Sequence, residues 1–121
     1  MTQSNVLEMN SSKIGITRVG SKNVLTPKGS ISYQNIDVLK TMFNECLGNN
    51  KTEIILDCKA VSFIDSKALE FILGMHDELK KQGGILKIIN INEICRDIFI
   101  ATRLINVFHI YDDIHKAIRS G

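Results

Sequence analysis

The hydrophobic pattern of this chain changes between the two-residue period of β-strands and the 3.6-residue period of α-helices. Apolar residues alternate or run together in five stretches that predict strands: residues 14–19, 24–26, 53–58, 85–90 and 107–111. The last of these is also compatible with an apolar elbow, and residues 60–64 form an apolar loop between a strand and a helix. Residues 1–12 are polar with little periodicity, so we expect a flexible lead-in ahead of one domain over 13–121.

Four stretches have the helical period, and each predicts a helix with one buried face. The first begins near Ser32 and ends before Gly48, and the second begins at Asp65 and Ser66 and ends at Gly83. The third follows Asn92 and the fourth follows the Asp112-Asp113 pair. The expected inward residues of the last three helices are Ala68, Leu69, Ile72, Met75, His76 and Leu79, then Ile94, Ile98, Ala101 and Leu104, then Ile114, Ala117 and Ile118.

Two strands followed by alternating helices and strands predict an α/β fold. We expect a single domain with a small mixed sheet of four to five strands and about four helices packed against it. The central strands should be largely parallel, and the loops at their C-terminal ends are where such sheets gather function. Ser66 lies on one of those loops.

Composition excludes several functional classes. With 121 residues and a net charge of +2, the chain has no Lys/Arg cluster, so we expect no direct nucleic-acid binding. No apolar run reaches the roughly 20 residues of a membrane helix, and we expect no membrane insertion and a cytoplasmic protein. Cys46, Cys58 and Cys95 lack the spacing of a zinc site or a disulfide framework, so we interpret each as a small buried residue.

The residue types at the start of the second helix point to anion chemistry rather than catalysis. Ser66 would stand at the positive end of a helix dipole, where a phosphate group is tolerated, although a plain helix cap is the simpler interpretation. His76 lies ten residues further along the same helix and cannot serve Ser66 as a base. No G-x-S-x-G, G-x-G-x-x-G or G-x-x-x-x-G-K-[ST] pattern occurs. We therefore expect no catalytic residue, cofactor or metal.

Two further residues have competing interpretations. Asp57, at the end of the central strand, is a turn former by default and a site acid as the alternative. Gly74 lies within a helix, where glycine costs roughly 1 kcal/mol relative to alanine, and we interpret it as a close helix–sheet contact.

Taken together, three segments resemble the STAS domain, and within it the bacterial anti-sigma factor antagonists. They are residues 54–57, a strand ending in Asp; residues 61–69, with the Asp65-Ser66 helix start; and residues 83–90, a Gly-Gly turn into a strand. Gly29, with Ser30 and Ile31, matches the family's glycine before its first helix. The resemblance covers roughly residues 13–119, with Ala68 standing where the family has glycine.

The resemblance implies a binding switch rather than an enzyme. Its serine, here Ser66, is phosphorylated by an anti-sigma factor serine kinase with a histidine-kinase-like ATPase fold, and a serine phosphatase reverses this. The unphosphorylated form binds that kinase and releases a sigma factor. The residues we assign to partner binding are Gly29, Ser30, Ser32, Asp57, Ser62, Asp65, Lys67 and Leu69. The main alternative is a STAS scaffold or transporter-associated interaction module without a phosphorylation cycle; an enzyme of another α/β family is the second.

Overall fold

The computed structural model describes residues 4–9, 12–19, 22–48 and 52–120. The strands are β1 Ser4–Met9, β2 Ser12–Val19, β3 Lys22–Pro27, β4 Gly29–Ile31, β5 Glu53–Asp57, β6 Val61–Ile64, β7 Ile85–Ile89 and β8 His109–Tyr111. The helices are α1 Ile36–Cys46, α2 Ser66–Lys81, α3 Glu93–Ala101 and α4 Ile114–Arg119, with a 3₁₀ turn at Leu104–Asn106.

The strands form one large and one small sheet within the described residues. The large sheet has six strands in the order β1-β2-β3-β5-β7-β8. The β1–β2 and β2–β3 pairs are antiparallel, whereas β3, β5, β7 and β8 pair in parallel. β4 and β6 form a separate two-stranded parallel sheet. The mixed α/β fold with four helices is confirmed, with a larger sheet than the four to five strands expected.

The N-terminal part of the chain differs from the expectation of a flexible lead-in. Ser4–Met9 is a strand whose residues pair with β2 from Ser4 opposite Thr17 to Met9 opposite Ser12. An edge strand is held by backbone hydrogen bonds, which polar sequences make as readily as apolar ones, so periodicity did not reveal it. The expectation of a loose segment is therefore wrong for these residues.

The segment expected to be an apolar loop, residues 60–64, is also largely a strand. Val61–Ile64 pairs with Gly29–Ile31, a segment that lies far away in the sequence. Strand pairing over such a distance has no local signal. This small sheet carries the chain from the central strand β5 to the start of α2.

The central strands β3, β5 and β7 of the large sheet are buried on both faces. Ile54 and Leu56 of β5 pack into the main core, which contains the buried residues of α1, α2 and α3. Ile55, between them, points to the opposite face and packs with Ala117 of α4. The three cysteines are buried, as the sequence predicted, and none of them forms a disulfide bond within the described residues.

Helix α2 buries the face that its periodicity predicts, from Ala68 to Leu79. Helix α3 does so only in part: Ile98 packs against the core partly buried, but the fully buried residues are Cys95 and Phe99, and Ile94 is half exposed. The Asn92 cap, whose side chain accepts from the Cys95 amide, is confirmed. The Phe99 ring packs edge-on against Phe108, with 5.4 Å between centroids. This contact turns Cys95 and Phe99 inward, each one residue further along the helix than the predicted Ile94 and Ile98.

The glycine at a close backbone contact is Gly84 rather than Gly74. Gly84, after α2, is where backbones approach closely, since a Cβ there would overlap the Thr52 carbonyl oxygen. A Cβ on Gly74 would meet no heavy atom within 4 Å among the described residues. The predicted close helix–sheet contact at Gly74 is therefore wrong.

Candidate functional site

Ser66 is the first residue of α2, and its side chain is exposed to solvent. The helix cap is the preceding residue: the Asp65 carboxylate accepts a hydrogen bond from the Ala68 amide at 2.9 Å. The structure records no hydrogen-bond partner for the Ser66 hydroxyl within the part of the chain that it describes. The simple interpretation of Ser66 as the cap is therefore wrong, and its hydroxyl is available for other chemistry.

Asp65 also joins α2 to the segment before α1. Its second carboxylate oxygen accepts from the Tyr33 amide at 2.9 Å, and its own amide donates to the Ile31 carbonyl at 3.1 Å. One side chain thus satisfies two backbone donors from distant parts of the chain. The β4–α1 turn is held beside Ser66 by these bonds.

Three of the predicted binding residues, Gly29, Ser30 and Ser32, lie in or beside that turn. Gly29 has a φ of 83°, a conformation that favours glycine, and its amide donates to the Ala60 carbonyl. The buried Asn35 amide group accepts from the Ser32 amide at 2.8 Å and donates to the Ser30 carbonyl at 3.0 Å. Asn35 was not predicted as a site residue, and it fixes the shape of this turn.

The exposed residues around Ser66 include two aromatic rings. Ser62 and Lys67, both predicted, are exposed on either side of the helix start. Tyr33 is 66% exposed and Phe63 is 51% exposed, which is unusual for rings of this size. The alternation of β6 could not reveal Phe63, because both Ser62 and Phe63 face solvent between the buried Val61 and Ile64.

Asp57 and Leu69 lie apart from this exposed group. The Asp57 carboxylate accepts from the Lys59 amide at 3.0 Å and from the Asn90 side chain at 3.3 Å, which confirms its role as a turn former. Asp57 also lines a separate cavity of about 170 Å³ beside Lys59. Leu69 is only 9% exposed and its side chain packs α2 against the main core, so it is not available to contact a partner.

The arrangement suits anion acceptance better than nucleophilic catalysis. His76 is buried against Phe108 and lies about 15 Å along α2 from Ser66, given the helical rise per residue. Burial lowers the pKa of His76, and so do His109 and Lys80, against the opposing effect of Asp77. The free backbone amides at the start of α2 and the helix dipole favour negative charge at Ser66. The Ala68 methyl points into the core and leaves this end of the helix open.

The chain belongs to the STAS domain family: the model of the STAS domain matches residues 14–117. It is similar to an anti-sigma F factor antagonist from Paenibacillus polymyxa, with 24% identity over 86 residues that cover 70% of this chain and 74% of the relative.

Two solved structures show the same fold. An anti-sigma factor antagonist from Mycobacterium paratuberculosis has a TM-score of 0.74 and 17% identity, covering 99% of this chain and 93% of that one. A sulfate transporter family protein from Wolinella succinogenes has a TM-score of 0.70 and 18% identity, covering 82% and 83%. The helices described here include none with the length and apolar character needed to cross a membrane.

Proposed function

We propose that this protein is an anti-sigma factor antagonist that acts as a non-enzymatic binding switch in the cytoplasm. Its unphosphorylated form binds an anti-sigma factor serine kinase of the histidine-kinase-like ATPase fold, and a sigma factor is released. Phosphorylation of Ser66 by that kinase ends the binding, and a serine phosphatase restores it. The observation that carries this proposal is the exposed Ser66 hydroxyl, left free by an Asp65 that makes the helix cap itself.

A phosphate on Ser66 would change the surface without unfolding it. Phosphorylation adds about −1.5 to −2 charges, which the amides and dipole at a helix start accommodate. The two hydrogen bonds of the Asp65 carboxylate, to the Ala68 and Tyr33 amides, do not involve Ser66. The helix start therefore keeps its geometry while the docking surface acquires charge and bulk.

The binding surface we assign to the kinase surrounds this serine. It comprises the β4–α1 turn with Gly29, Ser30 and Ser32, and the exposed Ser62 and Lys67. Tyr33 and Phe63 add two exposed rings, and aromatic side chains commonly anchor protein–protein interfaces.

The first test is phosphorylation in the cell. Intact-mass measurement and peptide mapping of the protein from its native source should show phosphate on Ser66 that a serine phosphatase removes. A kinase captured with the dephosphorylated chain should transfer phosphate to that serine. An unmodified Ser66 under all growth conditions would contradict the switch and support a STAS scaffold or transporter-associated module instead.

The second test separates charge from size. Ser66→Asp should weaken binding to the purified kinase by at least about a hundredfold, because like charge or desolvated charge in an interface costs several kcal/mol. Ser66→Asn introduces a side chain of nearly the same size as aspartate but without its charge, and it should retain much more of the affinity. Circular dichroism should show both variants folded. Equal affinities of the Asp variant and the wild-type chain, in a calorimetric titration, would refute the proposal.

A further inference from the structure

A groove of about 490 Å³ lies between α1 and α2, next to Ser66. Tyr33, before α1, and Ile36 and Lys40 of α1 line one side of the groove. The α2 side is lined by Lys67, Glu70, Phe71 and Gly74. The volume is in the range of sites that accept a bulky group from a ligand or partner. Tyr33 and Lys67 line one end of the groove and adjoin Asp65 and Ser66, so the groove continues the surface around the serine.

Gly74 leaves this groove open at a cost to the helix. Glycine within a helix is roughly 1 kcal/mol less favourable than alanine. Internal packing does not require it, because a Cβ at this position would meet no described atom within 4 Å. A larger side chain at Gly74 would instead project into the groove. No contact within the described chain therefore requires glycine at this position.

The floor of the groove is apolar and firmly held. The Phe71 ring packs edge-on against the Phe43 ring of α1, with 5.9 Å between centroids. Ile36 contributes a mostly buried side chain from the first turn of α1. An apolar side chain seated here would be desolvated against a preformed surface rather than against mobile groups.

Two lysines stand at the rim, one on each helix. The Lys40 ammonium lies 5.9 Å from the Phe71 ring centroid and 3.9 Å from the Asp37 carboxylate. The Lys67 ammonium lies 3.6 Å from the Glu70 carboxylate. All of these charged side chains are strongly exposed, and such pairs hold their partners weakly, so both lysines can exchange them for another carboxylate.

We propose that this groove docks a segment of the anti-sigma factor kinase that inserts a bulky apolar side chain over Gly74 and places a carboxylate between Lys40 and Lys67. The inference rests on the proposed function and gives its surface a specific anchor. It also supplies a reason for release: a phosphate on Ser66 would stand beside Lys67 and compete with the partner's carboxylate for that cation.

The test measures the affinity of variants of the whole chain for a purified anti-sigma factor serine kinase of the histidine-kinase-like ATPase fold from the same native source. Gly74→Leu fills the groove and should weaken binding at least about tenfold, and Lys40→Glu should have a similar effect. Gly74→Ala should raise the thermal midpoint and stay within about threefold of wild-type affinity. The control, Asp97→Leu, adds the same side chain on the exposed surface of α3 and should bind like the wild-type chain.

The outcomes distinguish the groove from the switch. Wild-type affinity of a folded Gly74→Leu chain would overturn the groove while leaving the switch intact. A wild-type chain that forms a dimer, lost in Gly74→Leu with kinase affinity unchanged, would assign the groove to a second copy and also overturn the proposal. Absence of kinase binding by the wild-type chain would refute the proposed function itself, and the groove inference with it.

Discussion

At the level of single residues, Asp65 is the organising group of the candidate site. Its two carboxylate oxygens accept from the Ala68 and Tyr33 amides, each at 2.9 Å. The first bond caps α2, and the second holds the β4–α1 turn against it. Because Asp65 makes both bonds, the Ser66 hydroxyl is not needed to cap α2 or to hold the turn.

Replacement of Asp65 should therefore affect stability and the shape of the site together. Asp65→Ala should lower the free energy of unfolding by about 1–2 kcal/mol, since an Ncap replaced by alanine typically costs this much. Asp65→Ser retains a capping oxygen but not the second bond and should cost less. Urea denaturation measures both variants, and equal losses for the Ala and Ser variants would show that the cap contributes nothing.

At the level of elements, the terminal helix α4 is attached to the sheet by a buried lysine. Lys87 of β7 is 2% exposed, and its ammonium donates to the Ala117 carbonyl of α4 at 2.7 Å. The ammonium also lies 3.5 Å from the Glu53 carboxylate, which in turn accepts from Lys22 at 2.9 Å. The lysine stem crosses an apolar layer while its charge is paired, as buried charges require.

Lys87→Met should release α4 while preserving most of the buried stem volume. We expect the free energy of unfolding to fall by about 1–3 kcal/mol, because a buried carbonyl loses its charged donor, whereas Glu53 keeps Lys22. Amide hydrogen exchange should accelerate selectively in Ile114–Arg119. The matched control is Lys116→Met, which removes an exposed pair with Asp112 and should leave exchange unchanged. Unaltered α4 protection in the Lys87 variant would contradict this attachment.

At the level of the whole molecule, acid should destabilise the fold through His76. This residue is buried where α2 packs against Phe108, with His109, Lys80 and Asp77 as its charged or titratable neighbours. Burial, its largest influence, lowers the pKa of His76 below the ordinary 6.5. In the unfolded chain the same imidazole has the ordinary value and binds a proton first.

The stability contributed by a neutral His76 is complete above the ordinary histidine pKa. It is lost as the pH falls from that value through the lowered pKa of the folded state, because the unfolded chain binds more protons in this window. Chemical denaturation of the wild-type chain from pH 7.5 to 5 should show this decline. His76→Gln should reduce the slope, and His115→Gln, on the exposed side of α4, should not. Identical slopes in all three proteins would contradict the assignment.

Much of the local structure was determined by the sequence alone, because its causes lie within a few residues. The buried face of α2 follows from its periodicity, and the Asn92 cap and the Asp57 turn follow from the hydrogen-bonding side chains of Asn and Asp. The placement of Ser66 at a helix start is of the same kind, since Asp-Ser before an apolar helical pattern is a local signal.

The composition of the site was decided only by the tertiary structure. Pairing of β4 with β6 brings Gly29–Ile31 to Val61–Ile64, and the Asp65–Tyr33 bond joins residues far apart along the chain. Which face of α3 is buried depends on the contact between Phe99 and Phe108. Whether Gly74 contacts another element depends on how α1 and the sheet pack around α2. Periodicity reports how a segment repeats, whereas these features depend on which distant segment packs beside it, and that is set by the energy of the whole fold.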